Sequence, residues 1–360
     1  MCAKLSNEGL HLPNLSIKGF QGIEDLSISR LGRVTLIAGK NGVGKTTLLD
    51  AVRIYAARGN LPVLWSILRN REELTVIVDE DGDERTIPDF EALFNGRHPK
   101  LDSRISIGPN SEAQQLSIEF EPGLKNGVPL IKIGFQGTKP EISMPFFSSM
   151  RRHPLYRRPQ ADESERPSEI RCVSVGPSLL SDDDIARFWY SVALRDGEAR
   201  AIHALRLIYG NEVERVVVIG DERSSGRSGR RAIVGFKGQE SPVSLKSLGD
   251  GAVRLFGVAL ALANSQDGFL VIDEAENGIH HSVQRDFWKM VMTTAVENNV
   301  QVFATTHSWD CVVGFAQAAV GLEEVDGILV RLERDGEQMR VVEYSEEELR
   351  IAGEQSIEVR

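Results

Sequence analysis

The residues Gly39-Lys40-Asn41-Gly42-Val43-Gly44-Lys45-Thr46, with Thr47 behind them, follow the apolar run Val34 to Ala38 and open a stretch of helical composition reaching Ala57. A glycine-rich bend between a strand and a helix lets successive backbone N–H groups converge on an anion, and the helix N-terminus adds its positive dipole end. In the spacing G-x-x-x-x-G-K-[ST], Lys45 is placed to neutralise β- and γ-phosphates and the Thr46 hydroxyl to ligate Mg²⁺. The chemistry is that of a nucleoside triphosphate, ATP first, held by its phosphates.

A second set supplies what hydrolysis would need. Phe269-Leu270-Val271-Ile272 is the continuous apolar run of a strand buried on both faces, and it ends in Asp273-Glu274, at the strand end where parallel sheets bind ligands. Asp273 would hold the magnesium through water, and Glu274 would orient or deprotonate the attacking water. A buried strand ending in an acidic turn is common, so this reading draws its force from the phosphate loop. Ser247-Leu248-Gly249-Asp250-Gly251 stands just before the apolar stretch Ala252 to Ala263. Its Ser247 hydroxyl and the small residues Gly249 and Gly251 at a helix start suit either an anion or a plain N-cap. Because the loop of the same head leaves no free face of the γ-phosphate, an anion here would belong to a second copy. His307 follows the strand Val300 to Ala304, where it would reach a γ-phosphate or serve structure alone.

These groups must be positioned by alternating strands and helices. Runs at Leu15 to Ile17, Leu26 to Ile28 and Val34 to Ala38 read as strands, as do Gln115 to Phe120, Val128 to Phe135 and Val216 to Ile219. Helices are expected from Ser181, over Ala252 to Ala263 and near Val283 to Val296, with a closing hairpin, Ile328 to Arg331 and Arg340 to Glu343, around Asp335-Gly336. A capping box of Ser345 and Glu348 then starts a short helix. The pattern is that of an α/β core with a mainly parallel sheet. The acidic run Asp79 to Glu84 fails as a calcium loop, because Glu84 and Phe90 stand where glycine and a bidentate glutamate are needed, and a hairpin turn at Asp81-Gly82 is expected instead.

Composition narrows the classes. With 41% hydrophobic and 26% charged residues among 360, the chain is an ordinary globular protein, and its net charge of −10 excludes a protein that coats nucleic acid over its whole surface. No apolar stretch is long enough to span a bilayer and no signal peptide is evident, so a cytoplasmic protein without a membrane partner is expected. The three cysteines, Cys2, Cys172 and Cys311, form neither a disulfide framework nor a metal spacing. Arg151, Arg152, Arg157 and Arg158, and the run Arg223 to Arg231, read as solvated loops before a nucleic-acid contact, and His280-His281 as interface residues before a metal site.

The order of the motifs resembles ABC-type ATPase heads of the SMC-like and OLD (overcoming lysogenisation defect) group. Gly39 to Thr46 resembles Walker A, Ser247 to Gly251 the signature, Ile272-Asp273-Glu274 Walker B, and His307 the switch histidine. Asp273 to His280 and Phe303 to Ser308 resemble the OLD-like branch especially closely, while Asp250 stands where transporter-type heads carry a second glycine. The resemblance implies an α/β P-loop NTPase with a mixed, mainly parallel sheet. Residues 1–60 and 201–360 would form the two halves of one head and 61–200 an inserted arm. It implies ATP and Mg²⁺ as cofactors, a homodimer or higher oligomer with composite sites, and a setting in phage defence. Many OLD-type proteins carry a nuclease domain. The tail beyond His307 is shorter than one and has no Asp-x-Asp pair, so a separate effector chain such as a nuclease, or a nucleic acid, is the expected partner. The competing function is a nucleotide-gated sensor that barely hydrolyses. A nuclease in its own right lacks a paired-carboxylate cluster beyond Asp273 and Glu274.

Overall fold

The computed structural model describes residues 9–78, 83–100, 103–121, 130–135, 142–145, 168–221, 229–322, 325–336, 338–344, 348 and 351. The hairpin β1 (Leu15–Phe20) and β2 (Ile23–Ile28) precedes β3 (Val34–Ala38), which is buried at every position, as a strand covered on both faces must be. After β3 come α1 (Lys45–Ala56) and α2 (Leu61–Asn70), and then the hairpin β4 (Leu74–Val78) and β5 (Glu84–Pro88), whose expected tip at 79–82 lies outside the described residues. The middle of the chain supplies β6 (Arg104–Gly108), β7 (Leu116–Glu121), β8 (Leu130–Phe135), β9 (Ile142–Pro145) and β10 (Cys172–Val175). A lobe follows, of α3 (Asp182–Val192), α4 (Asp196–Tyr209), β11 (Val213–Asp221), β12 (Gly229–Phe236) and β13 (Val243–Ser244). The last part holds α5 (Asp250–Ala263), β14 (Phe269–Ile272), α6 (His281–Glu297), β15 (Gln301–Thr306), α7 (Trp309–Val320), β16 (Gly327–Asp335) and β17 (Gln338–Tyr344).

The central sheet runs β10-β14-β15-β3-β16-β17, parallel throughout except for the final hairpin partner β17. Period-two alternation divides its side chains between two cores. Phe269, Val271, Phe303, Ile37 and Val330 face α1 and the antiparallel sheet β2-β1-β6-β7-β8-β9. Leu270, Ile272, Val302, Leu36 and Leu329 face α5, α6 and α7. α5 is apolar nearly all round because it serves two cores at once, the second being that of the α3-α4-β11-β12 lobe.

Residues 61–200, expected as an inserted arm, contribute β6 to β9 to the sheet that β1 begins and β10 to the central sheet beside β14. Arg230 and Arg231, expected in a surface loop, are strand residues of β12, while 222–228, Met150 to Pro159 and Ser345 lie outside the described residues.

Trp288 on α6 is fully buried between Phe287 and Phe315, each with its ring centroid 5.1 Å away. Trp288→Ala is expected to destabilise the protein by about 3–5 kcal/mol, seen as a lower urea midpoint at unchanged slope.

Candidate nucleotide site

The loop 39–46 is seated against the β16-β17 hairpin. Gly39, with φ 152°, lies so close to it that a Cβ would stand 2.7 Å from the Leu332 carbonyl oxygen. Val43 is buried beneath the loop, whereas Lys40, Asn41 and Gly42 form its exposed rim and Gly44 caps α1. Lys45 is 7% exposed, and its Nζ donates to the carbonyls of Gly39 (2.7 Å) and Lys40 (3.0 Å). Burial lowers its pKa, opposed by the charges of Glu276, Asp273 and Glu274. The ammonium therefore sits inside the loop, facing the acidic strand end. Thr47 is buried and accepts a hydrogen bond from Arg71 (3.3 Å), which also pairs with Asp50 at 2.7 Å. Beside them a cavity of about 760 Å³ is lined in part by Gln21, Gly22, Thr47, Arg71, Arg97 and Arg334.

Parallel pairing of β14 with β15 and of β15 with β3 brings the acidic turn to the same sheet edge as the loop. Thr46 Oγ1 donates to Asp273 Oδ2 at 2.9 Å, and Thr305 Oγ1 to Asp273 Oδ1 at 2.5 Å. A hydroxyl and a carboxylate meeting at this distance offer the hard oxygen donors that Mg²⁺ takes alongside phosphate oxygens, so these residues fit that ion. Glu274 adopts φ 49°, a left-handed conformation that costs a non-glycine residue about 1–3 kcal/mol. Its N–H donates to Thr305 Oγ1 (2.9 Å), the N–H of Ala275 donates to the Thr305 carbonyl (2.9 Å), and the carboxylate accepts from Asn277 Nδ2 (2.6 Å). The turn thus presents a fixed carboxylate. His307 closes the group: its N–H donates to Glu276 Oε1 (2.9 Å), while its Nδ1 stands 3.1 Å from that oxygen and 3.9 Å from Glu274 Oε1.

Ser247 to Gly251 occupies a different place. Ser247 lies in the short 3-10 turn Leu245–Leu248, and it, Gly249 and Asp250 are exposed just before or at the start of α5. Gly251 is where α5 approaches the loop after Glu274, since a Cβ there would stand 2.8 Å from the Gly278 carbonyl oxygen. Among the described residues, no hydrogen bond or ion pair joins 247–251 to the phosphate loop. The His280 and His281 ring centroids lie 4.1 Å apart with the rings tilted by 40°, His280 caps α6, and among the described residues no group of three His, Cys, Asp or Glu side chains forms a metal site.

Sequence reasoning missed four groups: Thr305, which braces both acidic residues; Asn277, on Glu274; Glu276, on His307; and Arg254, whose guanidinium binds the carbonyls of the acidic turn. The signal for Arg254 was present, as a cation within a helix that is otherwise apolar beyond its first residue, Asp250.

Residues 14–142 match the AAA domain family and residues 198–312 the AAA ATPase domain family. An uncharacterised protein of Methanocaldococcus jannaschii is 34% identical over 93 residues, 26% of this chain and 80% of that protein. A Helicobacter pylori protein described as an ATP/GTP phosphatase is 20% identical over 330 residues, covering 82% of this chain and 85% of its own. Among solved structures, an SMC head bound to the C-terminal winged-helix domain of ScpA shares the fold, with TM-score 0.52 at 12% identity over 93% of this chain and 98% of that one. No helix among the described residues is long and apolar enough to cross a membrane.

Proposed function

We propose that the chain, whose residues 14–142 and 198–312 match AAA families and whose fold is that of an SMC head, is a P-loop ATPase that hydrolyses Mg²⁺ATP at composite sites, each completed by the Ser247 to Gly251 segment of a second copy in a head-to-head homodimer. The observation that carries the reading is the convergence of Thr46, Asp273, Glu274 and His307 on the mouth of a loop that already holds Lys45. In this reading the backbone N–H groups of 40–46 and the α1 N-terminus take the β- and γ-phosphates. Lys45 exchanges its two carbonyl partners for phosphate oxygens, and the cavity beside Thr47 receives the nucleoside. Magnesium, held by Thr46 and Asp273, would supply charge neutralisation between the phosphates. Glu274, fixed by Asn277, takes the proton of the water that attacks the γ-phosphorus as the bond to ADP breaks, and His307 steadies the γ-phosphate.

Closure of the two heads then gates a separate effector chain, such as a nuclease, or a grip on nucleic acid. The runs Asp273 to His280 and Phe303 to Ser308 support placement in the OLD-like branch, and with it a role in phage defence. One observation favours the alternative of a nucleotide-gated sensor with little hydrolysis: Asn277 occupies a Glu274 oxygen at 2.6 Å. Turnover near zero with every effector and nucleic acid supplied would select that alternative.

Light scattering on a sizing column tests the dimer. The Glu274→Gln protein is expected to double its molar mass on addition of Mg²⁺ATP, and the further change Ser247→Arg to abolish the rise. A mass indifferent to nucleotide and to Ser247→Arg would sink the composite site.

A further inference from the structure

We infer that Arg254 is a positioning residue that ties the Ser247 to Gly251 segment to the catalytic glutamate of the same chain, so that ATP engaged at one composite site sets the geometry of the other. The inference rests on the composite-site reading above and adds to it a route between the two sites.

Arg254 lies one turn after Gly251 on α5 and is 2% exposed. An ionised side chain so deep in the fold costs several kcal/mol unless it is fully engaged. Both terminal nitrogens are engaged, while the buried Nε has no hydrogen-bond partner. One terminal nitrogen donates to the carbonyls of Asp273 (2.8 Å) and Glu274 (2.9 Å), the other to those of Gly176 (2.5 Å) and Ser178 (3.5 Å). The guanidinium thus grips the backbone of the acidic turn and of the segment leaving β10, leaving the carboxylates of Asp273 and Glu274 free to face the phosphate loop. Only a planar fork spans four acceptors in this way. The Asp273 and Glu274 carbonyls belong to the turn that places Glu274 at φ 49°, so the arginine is one of the groups that hold the strained conformation in place.

A second contact makes the link stiff. The backbone of Gly251 lies against the Gly278 carbonyl too closely for any larger residue. α5 is clamped on both sides by two cores as well, and packed elements of this kind move as bodies. Any shift or rotation of α5 is therefore transmitted to residues 273–278. In a head-to-head dimer the start of α5 touches the ATP of the partner, while Glu274 serves the ATP of its own chain. Engagement at one site would align the carboxylate at the other, and by linkage the coupling is reciprocal.

Two experiments on the full chain test this. Arg254→Gln is expected to bind mant-ATP with unchanged Kd and to show unchanged KM, while kcat falls by about 10²-fold, the loss that follows from misplacing a catalytic group by about 1 Å. The Hill coefficient for ATP should fall to that of independent sites, with Arg254→Lys recovering part of kcat. A loss of ATP binding in proportion to kcat, or full activity, would overturn the assignment. The second experiment leaves Arg254 intact, in case its variants fail to fold. A tag-selected mixed dimer of one unaltered protomer and one Lys45→Ala protomer keeps one complete site, but the unaltered chain has no ATP at its own signature segment. Coupling predicts turnover far below half that of the unaltered dimer, and half turnover would overturn it. Failure of any nucleotide-dependent dimer to form would remove the composite-site reading and this inference together, whereas half turnover in a formed dimer would remove this inference alone.

Discussion

Glu274→Gln is expected to bind Mg²⁺ATP with unchanged affinity and to lose about 10²- to 10⁴-fold in turnover, the contribution of a positioned general base. The substitution keeps the size of the side chain and an oxygen for Asn277, which donates to Glu274 at 2.6 Å. Because Glu274 is bound through its own backbone N–H to Thr305, the turn should survive the change. What is lost is the ability to take a proton. Phosphate release under saturating ATP measures the effect, and turnover equal to the unaltered protein would remove Glu274 from its role.

Lys45→Ala is expected to act a step earlier, on binding. The Lys45 ammonium is buried between the carbonyls of Gly39 and Lys40 and faces Asp273, Glu274 and Glu276. Hydrogen bonds to charged groups are worth about 1.5–3 kcal/mol each, so two of them to phosphate oxygens correspond to a loss of about 10²-fold or more in Kd. Truncation also leaves the clustered carboxylates without their internal cation, which further disfavours the polyphosphate. Titration with mant-ATP reads the change, and an unaltered Kd would mean that the phosphates do not sit in the loop.

Much of this site was legible in the sequence because its signals are local. A strand, a glycine bend and Gly-Lys-Thr are contiguous, and so are Phe269 to Glu274 and Phe303 to His307. The α/β architecture followed from the same runs. Pairing between distant strands left no such trace. Nothing near Ser106 or Gly108 announces that they lie opposite Lys18 and Ser16, and nothing near Cys172 announces that it lies beside Phe269. Hence the middle of the chain read as an arm, although it supplies strands to both large sheets. The bracing residues were hidden for a related reason. Thr305 is an ordinary strand residue until its hydroxyl is found between Asp273 and Glu274, and Glu276 looks like a surface acid until the fold lays it against His307.

The order of strands in the central sheet also has a bearing on how the protein is made. β3, which leads into the phosphate loop, is complete before residue 40 emerges, yet both of its neighbours, β15 and β16, come from beyond residue 300. Contacts of such sequence separation form slowly, since a long chain must close before they repay its entropy. During synthesis the loop therefore waits, with an unpaired apolar strand behind it, until β15 and β16 have left the ribosome. Nucleotide competence then arrives only once β15 and β16 have paired with β3, and a nascent chain halted before β15 would expose the edges of β3 to aggregation instead of capturing ATP.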